Sequence, residues 1–344
     1  MYNIFDPNKP MRNYNCRIRE SFVNGVRQIS LDNRWLHIAV LAGKGTDIVE
    51  FLYKPLDIDA MFHGWNGVKN PAMNHGTNPT PDGPFFDSYN GGWQELFPSI
   101  GVSSPYMGIQ LPYHGEVHSL NWEWAIEKDT EEEITVKFWV RTPRSPYLLE
   151  KWMTLKADEP ALFIRERATN IGQVPLQFLW GHHPALGRPF LDDSCTIELP
   201  EGKIRLHPYP GTELDATAEY FWPMGKLTNG EAIDLRRILG PEKKCCMEFG
   251  VTELPRGHVE ICNHNYKLAF GMDWDAEKLP CLWFWEPDCG CPEYPTFGRD
   301  YCLGVEPWTH LPGNLAEIAK QNAGVHIAPG ESKELELKAY FREF

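Results

Sequence analysis

Apolar and polar residues alternate with a period of two through most of the chain from residue 35 onward. Successive side chains of a β-strand point to opposite faces, so this period predicts strands. The predicted strands are residues 35–41, 47–53, 132–141, 148–156, 161–169, 174–183, 194–199, 258–264, 266–274, 280–286, 301–308 and 330–340. Four of them follow one another between residues 132 and 183 with short turns, which predicts an antiparallel meander in an all-β fold.

Three stretches depart from this pattern. Helix-like sequence is confined to residues 231–238 and 314–322. Residues 54–113 are rich in glycine, proline, asparagine and aromatic residues, and a loop of this length inside a compact domain is usually functional. Residues 1–33 are polar and irregular, so we expect an N-terminal arm over residues 1–34 ahead of the main domain.

The charge of the chain limits its partners. The 344 residues contain 33 Lys and Arg against 47 Asp and Glu, a net charge of −14. Such a field repels nucleic acid and anionic membrane surfaces, so a neutral small molecule is the better ligand. No run of roughly 18 apolar residues exists, and the N-terminus lacks the regions of a signal peptide, so we expect a cytoplasmic protein.

The nine cysteines do not indicate a metal site. Their number is odd, and the expected location favours free thiols. Cys289 and Cys291 form a Cys-x-Cys pair rather than the Cys-x-x-Cys of common zinc sites. We therefore expect neither a disulfide framework nor a structural metal.

Two predicted strands carry a titratable residue directly before a proline. His183 precedes Pro184 and Glu306 precedes Pro307, and because proline cannot donate to a sheet ladder, each strand is expected to end there. His182 and His183 then face opposite ways. Gly181 and Gly304 are expected to leave open space beside His183 and Glu306. Each residue can be an acid or base of a site, or an ordinary hydrogen-bonded histidine and a paired glutamate.

Other candidates lie in the long loop and just after it. Trp93 and Glu95 follow two glycines, and the indole can be either a platform for a sugar ring or a core residue. His114 and His118 have the i, i+4 spacing of zinc ligands on a helix, but the neighbouring Pro112 and Gly115 disfavour a helix. His114 is instead interpreted as a hydrogen-bonding group at a turn.

Five short motifs together make the chain resemble the aldose 1-epimerase, or galactose mutarotase-like, superfamily, in particular its divergent and uncharacterised branch. They are Gly92–Pro98, His114–Gly115, His183–Gly187, Gly304–Trp308 and Ala328–Glu331. The resemblance extends from about residue 35 to the end. It implies one domain over residues 35–344, a large antiparallel β-sandwich of the supersandwich type that holds a sugar in a cleft on one sheet.

The resemblance also implies roles. His183 corresponds to the histidine that protonates the ring oxygen, Glu306 to the glutamate that removes the anomeric hydroxyl proton, and His114 to a histidine that orients sugar hydroxyls. The open-chain aldehyde rotates about C1–C2 and recloses, with no cofactor and no metal. Further substrate-binding candidates are Trp93, Glu95, His182, Arg188 and Asp273. Glu116 and Val117 replace the aromatic and small residues usual after the His–Gly pair, which leaves the sugar open.

Three functions follow from these observations. The first is a mutarotase or related sugar epimerase using His183 and Glu306. The second is a carbohydrate-binding protein without catalysis, since the fold alone does not specify an activity. The third is a carboxylate-dependent glycosidase or lyase, which needs a second acid such as Glu95 or Glu116. A phosphorylated sugar is compatible with a local pair of arginines, and either a monomer or a homodimer is expected.

Overall fold

The computed structural model describes residues 15–72 and 82–344. In chain order its strands are β1 (Arg17–Val23), β2 (Val26–Asp32), β3 (Leu36–Leu41), β4 (Asp47–Tyr53), β5 (Ile58–Asp59), β6 (Trp93–Leu96), β7 (Ser104–Tyr106), β8 (Ile109–Leu111), β9 (Glu123–Asp129), β10 (Glu133–Arg141), β11 (Tyr147–Lys156), β12 (Ala161–Asn170) and β13 (Leu176–Phe178). The second half contributes β14 (Gly181–Leu186), β15 (Cys195–Glu198), β16 (Arg205–Pro208), β17 (Tyr220–Phe221), β18 (Met224–Lys226), β19 (Ala232–Asp234), β20 (Met247–Thr252), β21 (Gly257–Asn263), β22 (Leu268–Trp274), β23 (Cys281–Glu286), β24 (Leu303–Trp308), β25 (Val325–Ile327) and β26 (Ser332–Glu343). Helices are short: α1 (Gly83–Phe86), α2 (Leu315–Lys320) and the 3-10 turns Val117–Ser119 and Pro241–Lys243.

Two large antiparallel sheets form a sandwich, which confirms the antiparallel all-β fold that the strand pattern predicted and the sandwich that the resemblance implied. The larger sheet has 14 strands in the order β1-β2-β3-β4-β6-β14-β24-β23-β20-β16-β17-β18-β19, with β5 paired to β4. The smaller sheet has eight strands in the order β15-β21-β22-β26-β12-β11-β10-β9. Alternate residues of both sheets meet in one core that contains Phe51, Phe138, Phe249, Phe270 and Phe284. Burial of these apolar faces, at about 25 cal/mol per Å² of apolar surface, is the main force that holds the layers together.

The start of the chain does not behave as an irregular arm. β1 and β2 pair with each other and β2 pairs with β3, so residues 17–32 extend the larger sheet and that part of the prediction is wrong. β1 is an edge strand whose residues are exposed or half-buried on both faces, so it lacks the apolar alternation that marks an interior strand. The first fourteen residues of the predicted arm lie outside the described residues.

The predicted strand over residues 174–183 is two strands in different sheets. β13 pairs with β25 in a separate two-stranded sheet, while β14 enters the larger sheet between β6 and β24. Only the first three segments of the predicted meander, now β10, β11 and β12, are consecutive neighbours in one sheet. The chain therefore crosses from the smaller sheet to the larger one just before the histidine pair.

The expected stops at Pro184 and Pro307 are also wrong, because both prolines lie inside strands. The β14–β24 ladder pairs Gly181 with Trp308 and Ala185 with Gly304. Both prolines fall in the interval between these pairs, where the β14–β24 ladder has no residue pairing for a missing N–H to break. The two strands that carry His183 and Glu306 are therefore not paired with each other in this interval.

The two helix predictions had different outcomes. The segment 314–322 contains α2, whose N-cap Asn314 accepts hydrogen bonds from the backbone N–H groups of Ala316 and Glu317. The segment 231–238 instead forms β19 and turns, so that prediction is wrong. The expectation of free thiols is wrong for one pair, since Cys246 and Cys291 form a disulfide.

Candidate active site

A cavity of about 640 Å³ lies on the face of the larger sheet that points away from the sandwich core. Its floor is formed by side chains of four neighbouring strands: His183 on β14, Glu306 on β24, Trp285 on β23 and Glu248 on β20. Its walls come from residues 62–66, 85–89, 113–114, 209–213 and 290–300. A mostly aromatic cleft with a few convergent polar groups is typical of a small-molecule site.

His183 and Glu306 meet at the bottom of this cavity. The His183 Nε2 atom lies 3.6 Å from Glu306 Oε1, and the Glu306 side chain is 1% exposed. Glu306 Oε2 has no hydrogen-bond partner among the described residues. A Cβ at Gly304 would lie 2.5 Å from the Glu306 carboxylate, so the space beside this glycine is filled by Glu306 itself rather than left open as expected.

The electrostatics of the pair set its resting protonation. Burial lowers the pKa of His183 to about 4. Burial also raises the pKa of Glu306 well above its usual range, and the Glu248 carboxylate raises it further. Both shifts favour the uncharged forms of the two groups, because burial penalises an imidazolium and a carboxylate alike. An uncharged pair would start with Glu306 as the proton donor and His183 as the acceptor, the reverse of the assignment that the resemblance implies.

His114 lies at the turn where it was predicted and points into the same cavity. Its backbone has φ of 61°, a left-handed conformation that histidine adopts more readily than most residues. Its Nδ1 accepts a hydrogen bond of 3.0 Å from the Gly101 N–H, so its Nε2 carries the proton and is a donor. The His114 and His183 rings lie 5.3 Å apart. Burial keeps the pKa of His114 well below its usual value, so this donor is neutral.

The glycine after His114 is required by a close approach. Gly115 has φ of 80°, and a Cβ there would lie 2.3 Å from the Phe97 carbonyl oxygen. Any side chain would push apart the two segments that hold His114. Gly115 therefore permits the close approach of the two segments that holds His114 in place.

Aromatic rings cover the apolar part of the cavity. Trp283 and Trp308 stack with their planes 8° apart and centroids 5.7 Å apart. The Trp308 Nε1 donates to the His182 carbonyl oxygen at 3.0 Å, which satisfies a backbone group in the open interval of the β14–β24 ladder. A Cβ at Gly181 would lie 2.3 Å from the Trp308 ring. The space beside Gly181 is thus filled by Trp308 rather than left for a ligand.

Several cavity residues were missed in the sequence. They are Tyr89, Glu248, Trp283, Trp285, Arg299 and Asp300. The alternation of Trp283 and Trp285 within the predicted strand 280–286 was a signal for the two indoles. Glu248 and the residues at 290–300 come from segments without periodicity, so only the tertiary fold identifies them.

Trp93, Glu95 and His182 do not line the cavity. They point between the two sheets, and all three are at least 97% buried. The Trp93 Nε1 donates to His182 Nδ1 at 3.1 Å, and Trp180 donates to the Glu95 carboxylate. These three residues were predicted to bind the substrate. The structure corrects that prediction, because β6 and β14 turn their side chains toward the core.

A buried ionic network surrounds His182. The Lys151 Nζ lies 2.6 Å from Glu95 and 3.3 Å from Glu166, and His182 Nε2 lies 3.0 Å from Glu166. Burial and the charge of Glu166 raise the pKa of Glu95 to about 7. Burial alone would raise the pKa of Glu166, but His182 and Lys151 lower it to about 2.

This network is the one group of three or more metal-binding side chains that converges within the described residues. Ligand atoms of Glu95, Glu166 and His182 lie within 4.8 Å of one another. The ammonium group of Lys151 already stands where a cation would bind. The negative charge of the two glutamates is therefore compensated by Lys151. The network also holds the core face of β14, on the opposite side of the strand from His183.

Arg188 and Asp273 are not brought to the cavity. The Arg188 guanidinium lies over the Tyr301 ring at 5.2 Å, in the turn after β14. Asp273 lies on β22 of the smaller sheet and hydrogen-bonds His258 Nδ1 at 2.7 Å. Both predicted substrate-binding roles are wrong because these residues lie outside the cavity wall.

Glu116 has a structural role. Its carboxylate accepts hydrogen bonds from the Arg144 N–H at 2.8 Å and from the Ser145 N–H and hydroxyl. It is absent from the cavity lining. Neither Glu95 nor Glu116 can therefore act as the second acid of a glycosidase in this cavity.

Comparisons with solved structures agree with this architecture. A protein from Klebsiella pneumoniae subsp. pneumoniae MGH 78578, whose assignment as an aldose 1-epimerase is provisional, has 15% identity and a TM-score of 0.71 over 94% of this chain and 83% of its own. A galactose mutarotase-like protein from Clostridium acetobutylicum has 12% identity and a TM-score of 0.64, with 96% and 99% covered. A galactose mutarotase related enzyme from Lactobacillus acidophilus has 17% identity and a TM-score of 0.59, with 92% and 97% covered. At these identities the likeness shows the fold.

Two other observations complete the comparison. No curated protein matches the chain, and none of the helices in residues 15–72 and 82–344 is long and apolar enough to cross a membrane. A family model described as a domain of unknown function, DUF4432, matches residues 23–340. The chain therefore belongs to the DUF4432 family, a divergent and uncharacterised family with the galactose mutarotase-like fold.

Proposed function

We propose that the protein is an aldose 1-epimerase-like enzyme that interconverts the anomers of a free sugar. The observation that carries this proposal is the contact between His183 and Glu306, an imidazole and a carboxyl group 3.6 Å apart at the bottom of an aromatic cavity. Ring opening of a hemiacetal needs one group that gives a proton and one that accepts a proton. Both are present, buried, and shifted in pKa in opposite directions.

The reaction balances with these two residues alone. One group takes the proton from the anomeric hydroxyl while the other protonates the ring oxygen, and the C1–O5 bond breaks to give the aldehyde. Rotation about C1–C2 turns the other face of the carbonyl toward O5. Ring opening exchanges the protonation states of the two groups, and reclosure reverses both proton transfers and restores them. Positioned proton transfer of this kind contributes typically about 10² to 10⁴ in rate.

The other cavity groups fit a neutral sugar. The His114 Nε2–H is a neutral donor for a hydroxyl or ring oxygen, and Trp285 offers an apolar face to sugar C–H groups. Glu213, Glu248, Glu293, Asp300 and Glu306 line the cavity, and Arg299 is the basic residue among its described lining residues. Arg299 donates to the carbonyl oxygens of Thr296 and Pro295. The arginine pair that a phosphorylated sugar would need is not found in this lining.

The test is the relaxation of freshly dissolved α-glucose and α-galactose, measured by NMR exchange. Wild type is expected to accelerate it, and Glu306→Gln and His183→Asn are expected to lose the acceleration by about 10² or more. Glu317→Gln and His326→Asn change the same residue types at exposed positions and are expected to match wild type. Sugar binding without acceleration in wild type would contradict catalysis and favour the carbohydrate-binding function.

A carboxylate-dependent glycosidase is the second candidate, and Glu248 is the observation that favours it. This carboxyl lies in the cavity near Glu306, and burial raises its pKa to about 7. A glycosidase needs two carboxyl groups on either side of the scissile bond. Release of free sugar from a disaccharide, lost in Glu248→Gln while anomer exchange is retained, would establish this activity.

A further inference from the structure

Two carboxyl groups are buried at the end of β23, on the face opposite to the cavity. Leu282 and Phe284 of this strand point into the core, while Trp283 and Trp285 point into the cavity. Glu286 shares the core face by alternation and is 1% exposed, and Asp288, two residues later, is fully buried. Neither residue takes part in the proposed reaction.

These carboxyl groups lack protein partners. No oxygen of Glu286 or Asp288 has a hydrogen-bond partner among the described residues. Burial and the charge of Asp288 raise the pKa of Glu286 well above its usual range. Buried polar groups in proteins are nearly always satisfied, and two neighbouring unpaired carboxylates are especially costly. The negative charge of this pair must therefore be neutralised, either by protons or by a bound cation.

Tyr301 gives a second, independent indication. It is buried, its hydroxyl has no hydrogen-bond partner among the described residues, and its ring packs in the same core as Phe284. Burial raises the pKa of Tyr301, and Asp288 is the charged residue that raises it most. A neutral oxygen without a partner among the described residues thus lies close enough to Asp288 to feel its charge.

We propose that Glu286 and Asp288 bind a hard divalent cation, with Ca²⁺ as the best-fitting ion and the Tyr301 hydroxyl facing the same space. A divalent cation neutralises two carboxylates. Calcium accepts carboxylate, carbonyl and water oxygens in irregular geometry, whereas magnesium demands a near-ideal octahedron. The two side-chain carboxylates and the hydroxyl of Tyr301 are hard oxygen ligands of the kind that calcium accepts. This site departs from the expectation that the protein binds no metal.

The nearby thiols do not form a competing soft-metal site. Cys245 and Cys289 are free and their backbones are joined by a parallel bridge. Burial and neighbouring carboxylates raise the pKa of Cys245 to about 12, which disfavours the thiolate form that zinc requires. No group of three cysteine, histidine or acidic side chains converges here in the part of the chain that the structure describes.

The cation would lie at the base of one cavity wall. The wall segment, residues 290–300, begins just after Asp288, and the Cys289 N–H donates to the Asp300 carbonyl oxygen at 2.8 Å to close its base. The Cys246–Cys291 disulfide ties the same segment to β20. The cation would thus hold Asp288 at the base of the segment whose other residues face the cavity ligand, so calcium is expected to tighten ligand binding by linkage.

The test uses the full chain after chelator treatment and desalting. Calorimetric titration with CaCl₂ and thermal unfolding with CaCl₂, MgCl₂ or ZnCl₂ are measured for wild type, Glu286→Gln, Asp288→Asn and the control Glu293→Gln. Calcium is expected to raise the melting temperature of wild type and of the control by a few degrees. Its affinity is expected to fall about tenfold or more in the two site variants.

Three results would overturn the proposal. The first is wild type that binds no calcium and gains stability on mild acidification, because the two carboxyl groups would then share a proton. The second is calcium binding unaffected by both site variants. The third is zinc binding lost in Cys245→Ser but kept in Asp288→Asn. If the site variants fail to fold, displacement of Tb³⁺ from wild type by calcium, read by tryptophan-sensitised luminescence, still decides the question.

Discussion

His182 and His183 are adjacent in the chain, yet their imidazoles lie on opposite faces of β14. His182 Nε2 contacts Glu166 in the core at 3.0 Å, and His183 Nε2 faces Glu306 in the cavity at 3.6 Å. The strand thus joins a buried ionic network to the candidate acid and base. A change on the core side is expected to act on the site through β14.

The first prediction concerns Lys151. Lys151→Met removes the cation between Glu95 and Glu166 and leaves a buried negative charge. Breaking a buried ion pair in this way typically costs about 3–5 kcal/mol, so the free energy of unfolding in denaturant is expected to fall by that amount. Lys151→Met with Glu95→Gln removes the uncompensated charge too and is expected to recover much of the loss. Equal stability of Lys151→Met and wild type would contradict the role of the network.

The same network sets a pH dependence of stability. The pKa of Glu166 is about 2 in the folded protein against an ordinary value of 4.5. A depressed folded pKa contributes stability above the unfolded pKa, and that stability is lost as the pH falls through the folded pKa. Wild type is therefore expected to lose stability between about pH 4.5 and 2. Glu166→Gln should lack this part of the acid transition, as followed by unfolding at a series of pH values.

Much of the fold was predictable because the interior strands bury one face. Their alternation identified most strands of both sheets, and the two faces of β14 followed from the same rule. β1 was not predicted as a strand, because an edge strand with two exposed faces has no such alternation.

The site was predictable only in part, for a related reason. Alternation says which residues share a face but not which face is the core, so Trp93 and Glu95 were placed at the substrate although β6 turns them inward. Glu248 reaches the cavity because β20 lies two strands from β24, an order that distant pairing alone determines. His183, Glu306 and His114 all line the cavity, an arrangement that the resemblance implied and that strand alternation alone does not give.

The third prediction separates Trp93 from Trp285. Trp93→Phe keeps a ring in the core but removes the N–H that donates to His182. Because Trp93 does not line the cavity, KM for the sugar is expected to stay near the wild-type value. Trp285→Ala removes an aromatic surface of the cavity and is expected to raise KM several-fold to about tenfold, in line with aromatic contacts of about 0.5–1.5 kcal/mol. Steady-state anomer exchange measures both. A rise in KM for Trp93→Phe without a rise for Trp285→Ala would indicate that Trp93, and not Trp285, contacts the sugar.

The fourth prediction concerns His114. His114→Asn keeps a residue that tolerates the left-handed backbone but shortens the side chain, so the Nε2–H donor is lost from the cavity. Loss of a buried hydrogen bond to substrate typically costs about 1–3 kcal/mol, so kcat/KM is expected to fall about tenfold to a hundredfold. Gly115→Ala is the structural comparison, since its Cβ would clash with Phe97; it is expected to destabilise the fold, whereas His114→Asn is expected to leave the melting temperature nearly unchanged.

The last prediction uses the coupling between Glu248 and Glu306. The reaction needs one proton on the pair that His183 and Glu306 form, so kcat/KM is expected to fall at low pH as His183 is protonated near its pKa of about 4. It is expected to fall again at high pH as Glu306 ionises, above the usual range of a glutamate because its pKa is raised by burial and by Glu248. Glu248→Gln removes the negative charge that opposes ionisation of Glu306, so the pKa of Glu306 should fall. The alkaline limb should then move to lower pH while the acid limb stays in place. The position of the limbs, rather than the height of the profile, distinguishes this electrostatic effect from a lost contact with the sugar, which would lower kcat/KM at every pH without moving either limb.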